Sequence, residues 1–74
     1  MKLYTKTICP KCLWVKSELE RRGLEAEIIN IEKDEKAKQK ILDAGFLSVP
    51  VMEISDKLIG DTKQMMEQIE LLAP

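Results

Sequence analysis

Apolar and polar positions along the chain switch between two periods. Met1 to Tyr4 has the makings of a short strand, and it runs into a polar Thr5-Lys6-Thr7 loop. From Pro10 the spacing changes: Cys12, Val15 and Leu19 recur every three or four residues, which predicts a helix with those side chains on one face. Pro10 suits the first turn, where the N–H it lacks would have no partner. Arg21 and Arg22 suit the C-terminal end of that helix, and Gly23 suits its cap. Leu24 to Ile31 groups Ile28, Ile29 and Ile31 around Asn30 and reads as a buried strand. A second helix is expected from an N-cap at Asp34, carrying Ala37, Ile41 and Ala44 and ending at Gly45. Val51-Met52-Glu53-Ile54 and Leu58-Ile59, with a Ser55-Asp56-Lys57 turn between them, predict a hairpin. Asp61 or Thr62 then caps a last helix with Met65, Met66, Ile69 and Leu72 turned inward.

The order β-α-β-α-β-β-α implies an α/β domain: a four-stranded mixed sheet flanked by three helices, its first two strands parallel across the first helix. No repeat, linker or low-complexity tract divides the chain, so residues 1–74 are read as one small domain whose core is marginal for its size.

Charge narrows the function classes. Twelve basic and thirteen acidic residues leave a net charge of −1, so no basic excess points to a nucleic acid or an anionic membrane. The stretch from Glu32 to Lys40 alternates in sign and reads as a solvated helix face. No apolar run approaches the ~20 residues of a membrane span, and the first residues lack a charged-then-apolar leader. A secreted domain this small would be expected to use cysteines as a framework, which two cysteines three apart cannot provide. The expectation is a soluble, cytoplasmic monomer.

Cys9-Pro10-Lys11-Cys12 carries the chemistry. A disulfide between residues so close constrains the unfolded chain little, which makes it a poor staple and points to reactivity. Disulfide exchange needs an attacking thiolate and a second thiol that can reach the mixed disulfide. At a helix start, Cys9 would meet unsatisfied N–H groups and the positive end of the dipole, both of which favour its thiolate. Lowering a thiol pKa from ~8.5 to ~7 takes only about 2 kcal/mol of preferential stabilisation. Lys6 and Lys11 are the nearby cations, and Cys12, one turn further in, is the better resolving thiol. A zinc reading is weak, because a closed site wants four ligands and the chain has two cysteines and no histidine. Leu13 and Trp14 fall off the buried stripe and read equally well as sheet-edge core or as an apolar docking patch. Met52, Met65 and Met66 read as core filler, and Lys16 as a solvated lysine. Pro50 reads as trans on its local sequence, since only ~5–6% of X-Pro bonds in folded proteins are cis.

Taken together, Tyr4-Thr5-Lys6, Cys9-Pro10-Lys11-Cys12, Gly23, Val49-Pro50 and Gly60 resemble the glutaredoxins over essentially the whole chain. Ile29-Asn30-Ile31-Glu32, with Ala44-Gly45-Phe46 ahead of Val49-Pro50-Val51, resembles the narrower group of NrdH-type redoxins, which pass electrons to ribonucleotide reductase and are typically recharged by thioredoxin reductase. The resemblance implies a thioredoxin-like fold, Cys9 as nucleophile and Cys12 as resolving cysteine. It implies a cis Pro50, with Val49 offering its backbone to a substrate chain or to glutathione as an added strand. Lys6 would sit where glutaredoxins hold a glutathione carboxylate, with Pro10, Lys11, Gly60 and Asp61 completing the substrate site. No tightly bound cofactor is expected, and glutathione is a possible co-substrate.

The chain also departs from both patterns. Glutathione-using members usually carry Gly-Gly and then an acidic pair before the last helix, whereas this chain has Gly60-Asp61-Thr62-Lys63-Gln64. The aromatic–basic–proline pattern of the ribonucleotide-reductase donors is missing from the same segment, and Lys11 is neither group's commonest residue. The expected function is a dithiol–disulfide oxidoreductase that reduces protein disulfides, with ribonucleotide reductase as substrate and thioredoxin reductase as its source of electrons. The alternatives are a glutathione-dependent glutaredoxin that removes glutathione from proteins, and a dimeric module holding zinc or an iron–sulfur cluster. Pro10 argues against the cluster by crowding the ligand position at Cys9.

Overall fold

The computed structural model describes residues 1–73. Its elements follow the expected order: β1 (Lys2–Thr5), α1 (Pro10–Arg21), β2 (Glu27–Asn30), α2 (Glu35–Asp43), β3 (Val51–Ile54), β4 (Lys57–Ile59) and α3 (Thr62–Leu72). The strands form one four-stranded sheet in the order β2-β1-β3-β4. β1 pairs in parallel with β2 across the α1 connection, and antiparallel with β3, which closes the hairpin with β4.

Alternation along the central strands sends side chains to two layers. Leu3 and Met52 face one side and pack with Val15 and Leu19 of α1 and Met65 and Ile69 of α3. Tyr4 and Val51 face the other side and pack with Ala37 and Ile41 of α2. Helical spacing and strand alternation thus meet in the same residues, and the domain is three layers thick. Met65 and Met52 are fully buried, as filler residues of a small core should be.

Local chemistry fixes the ends of the helices. Asp34 accepts the Ala37 N–H (3.1 Å) and Asp61 accepts the Lys63 N–H (2.8 Å), so the cap of α3 is Asp61 rather than Thr62. The hairpin turn is shorter than expected: Ile54 pairs with Lys57, leaving Ser55 and Asp56 at φ 49° and 66°. Positive φ at both central residues matches the right-handed twist of the strands it joins.

Three expectations about burial are corrected. β2 is an edge strand, and Ile28 is 40% exposed because no strand covers its outer side. Ala44 is exposed because α2 stops at Asp43 and Ala44 is already its C-cap. Leu72, the last residue of α3, lies past the sheet and is exposed rather than inward.

Candidate active site

The dithiol motif spans the junction between the β1–α1 loop and α1. Cys9 is the N-cap, with extended backbone (φ −153°, ψ 95°), and Pro10 opens the first turn. The Cys9 Sγ accepts the N–H of Cys12 at 3.1 Å, so sulfur does here what a Ser or Asp oxygen does in an ordinary N-cap. One of the orphan donors of the helix start therefore points at the Cys9 sulfur. Cys9 and Cys12 are joined in a disulfide with their Cα atoms 5.2 Å apart. Both are buried, Cys12 slightly more than Cys9.

Two hollows flank the disulfide. The first, about 300 Å³, is lined by Lys6, Ile8, Cys9, Pro10, Lys11 and Val49. It joins the β1–α1 loop to the segment before β3, residues far apart in sequence. The Val49–Pro50 bond is cis, as the family resemblance implied and the local sequence did not, and Pro50 is buried. The second hollow, about 120 Å³, opens on the opposite flank and is lined by Thr5, Lys6, Thr7, Cys9, Cys12, Leu13, Lys16 and Ile28. Lys16 is exposed, as expected, but it stands beside the dithiol rather than away from it. Leu13 (64% exposed) and Trp14 (52%) belong to the surface, not to the core.

Gly60 and Asp61 line neither hollow. Gly60 lies against the Phe46 ring, where an added Cβ would come within 2.6 Å of a ring carbon. The Asp61 carboxylate is committed to the start of α3.

Sequence reasoning missed the residues that hold the loop before Cys9. The Thr7 N–H donates to Glu32 Oε1 at 2.6 Å, and Asn30 Nδ2 donates to Thr7 Oγ1 at 3.2 Å. Asn30 Oδ1 in turn accepts the Glu32 N–H at 2.9 Å, and the Ile31 N–H bonds the Thr5 carbonyl at 2.8 Å. These contacts tie the loop to the end of β2. The Thr7 N–H and hydroxyl hold the Glu32 carboxyl below its ordinary 4.5, helped by the charges of Lys6 and Lys38. The Asn30–Glu32 turn is a local signal that the sequence carries; the reach to Thr7 is not. Among the described residues, no group of three or more His, Cys, Asp or Glu side chains is placed to hold a metal, and no helix is long and apolar enough to cross a membrane.

Comparison with known proteins settles the lineage. The glutaredoxin family model matches residues 1–59. The chain belongs to the glutaredoxin family. Within it, the similarity runs to the NrdH-type members. The glutaredoxin-like protein NrdH of Escherichia coli K12 is 32% identical over 54 residues, spanning 73% of this chain and 67% of that one. The same figures hold for NrdH of Shigella flexneri. Among solved structures, the E. coli NrdH-redoxin, described as glutaredoxin-like with a thioredoxin-like activity profile, superposes with a TM-score of 0.85 at 27% identity. That match covers 99% of this chain and 93% of the other. The thioredoxin-like protein BC3987 gives a TM-score of 0.80 at 26% identity, covering 92% and 96%. The fold is therefore thioredoxin-like, and this glutaredoxin-family chain is a thiol–disulfide oxidoreductase.

Proposed function

We propose that the chain is an electron carrier that reduces protein disulfides through Cys9 and Cys12. Ribonucleotide reductase is the proposed substrate, and thioredoxin reductase the proposed source of electrons. The observation that carries this reading is the dithiol at the start of α1, with a helix N–H aimed at the Cys9 sulfur. The Cys9 thiolate attacks a substrate disulfide, forms a mixed disulfide and expels one substrate thiolate. Cys12, as thiolate, then attacks the Cys9 sulfur, releases the second substrate thiol and closes the Cys9–Cys12 bond. Two electrons pass to the substrate, and a reductase returns two to the carrier. Val49 lines the first hollow with Cys9, and in this reading its backbone pairs with an incoming extended segment. Pro10 and Lys11 line the same hollow, and the buried Pro50 follows Val49. Such a reaction belongs in the cytoplasm, where thiols are kept reduced.

Glutathione remains the competing co-substrate. Lys6 lines the first hollow and could meet its carboxylate, but Asp61 already serves as a helix cap and Gly60 packs on Phe46. That favours a protein reductase over glutathione. Reduction of the Cys9–Cys12 disulfide by NADPH with thioredoxin reductase is the direct test, run beside glutathione with its own reductase. Rapid turnover with thioredoxin reductase alone is expected; rapid turnover with glutathione alone would overturn the assignment. Cys12→Ser should abolish reduction of protein disulfides and leave any removal of glutathione intact, because the latter needs only the attacking thiol. Equal survival of both activities would show that Cys12 does not resolve.

A further inference from the structure

The surroundings of the disulfide carry a charge that the whole chain does not. Lys6 and Lys11 line the first hollow with Ile8, and Lys6 and Lys16 line the second with Leu13. No acidic residue lines either one. The first acidic residue of the chain is Glu18, and the segment from Ala44 to Met52 carries no charge at all. Among the described residues the ion pairs are Arg21 and Arg22 with Glu18, and Lys40 with Glu53, so Lys6, Lys11 and Lys16 are in none of them. Glu32, whose carboxylate interacts with the Lys6 charge, accepts the Thr7 N–H and lines neither hollow. Ile8 is 80% exposed and Leu13 64%. A chain of net charge −1 thus presents a cationic rim, studded with apolar side chains, around its reactive sulfurs.

We infer that this face selects its partners by charge: the disulfide it reduces lies on an acidic segment, with Asp or Glu flanking the reacting cysteine and an apolar residue beside them. The inference rests on the disulfide-reductase reading above and specifies its substrate class. The three lysines attract the acidic flanks during encounter and fix their register. Ile8 and Leu13 give the apolar residue a place to bury against. Because the lysines are exposed, the attraction is screened by salt.

The test uses two synthetic peptides with the same internal disulfide and the same apolar residues, one flanked by Asp and Glu and the other by Lys and Arg. The whole reduced protein is the reductant, and kcat/KM is measured at low salt and at about 0.5 M salt, where the Debye length falls to a few ångströms. The acidic peptide should be preferred about tenfold at low salt, the sum expected of two or three exposed charge pairs, and the preference should largely vanish at high salt. The triple variant Lys6→Glu, Lys11→Glu, Lys16→Glu should reverse the preference, an outcome that loss of folding cannot produce. Equal rates for both peptides, or a preference untouched by salt and by charge reversal, would overturn the inference while leaving the reductase reading standing. If neither peptide is reduced although glutathione is removed from a glutathionylated protein, the reductase reading falls and takes the inference with it.

Discussion

Glu53 shows how a single side chain gains weight from its neighbours. Its Oε1 accepts the Tyr4 hydroxyl at 2.6 Å and Lys40 Nζ at 2.8 Å, joining β1, β3 and α2. The Lys40 ammonium, then the Tyr4 hydroxyl, hold its carboxyl below 4.5, while burial and the Glu53 carboxylate raise Tyr4 above 10.0. The two shifts act at opposite ends of the pH scale. A carboxyl held below its ordinary value adds stability that is complete above pH 4.5 and drains as pH falls toward the folded-state value. A phenol held above its ordinary value adds stability that is complete below pH 10.0 and drains as pH rises. The urea midpoint should therefore be level between those limits and fall on both sides. Glu53→Gln should lower the midpoint at neutral pH and flatten the acid limb. An acid limb as steep as that of the wild type would show that other carboxyls, Glu32 among them, account for it. Nothing in the local sequence marks this trio, because Tyr4 and Glu53 are 49 residues apart and meet only once β1 and β3 pair.

At the scale of elements, the ends of α1 and α2 are built alike. The Leu24 N–H returns to the Leu19 carbonyl (2.9 Å) and the Gly23 N–H to that of Glu20 (3.1 Å). The Phe46 N–H returns to Ile41 (3.0 Å) and the Gly45 N–H to Leu42 (3.0 Å). This is the Schellman arrangement, with its apolar contact between the residue past the glycine and the last buried residue of the helix. Gly23 and Gly45 adopt φ +71° and +92°, and an added Cβ at either would meet nothing within 4 Å. The cost of a side chain there is conformational alone. Gly23→Ala and Gly45→Ala should each lower stability by roughly 1–2 kcal/mol, whereas D-alanine at either position should not. Loss of stability with D-alanine as well would point to a steric cause. These caps were legible in the sequence because they depend on a few adjacent residues; so were the helical stripes, the Asp34 cap and the dithiol at a helix start. Strand order was not. Ile28 has the composition of a buried strand residue, and only the position of β2 at the sheet edge exposes it. The same limit hid the link from Thr7 to Glu32 and the second hollow, since both join the dithiol loop to that edge.

The whole molecule divides its core unevenly across the sheet. On one side, Leu3, Val15, Leu19, Met52, Met65 and Ile69 lock α1 and α3 onto β1 and β3. On the other, α2 supplies Ala37 and Ile41 against Tyr4 and Val51. For 74 residues a total stability of about 4–11 kcal/mol is expected, and a buried Met→Ala change costs about 2–5 kcal/mol. Met65→Ala should therefore remove much of what holds the domain together. α2, with one large buried residue of its own and a network of exposed polar contacts, should open at lower free energy than the rest. Native-state hydrogen exchange distinguishes the two layers. Amides of α1, β1, β3 and α3 should exchange near the global unfolding free energy, and those of α2 clearly below it. Exchange of α2 at the global value would mean that the Lys40–Glu53–Tyr4 contacts bind that layer as firmly as the apolar core binds the other. The asymmetry suits the chemistry. The dithiol sits at the start of the helix held by the larger cluster, so opening of α2 alone would leave the helix that carries Cys9 and Cys12 packed on the sheet.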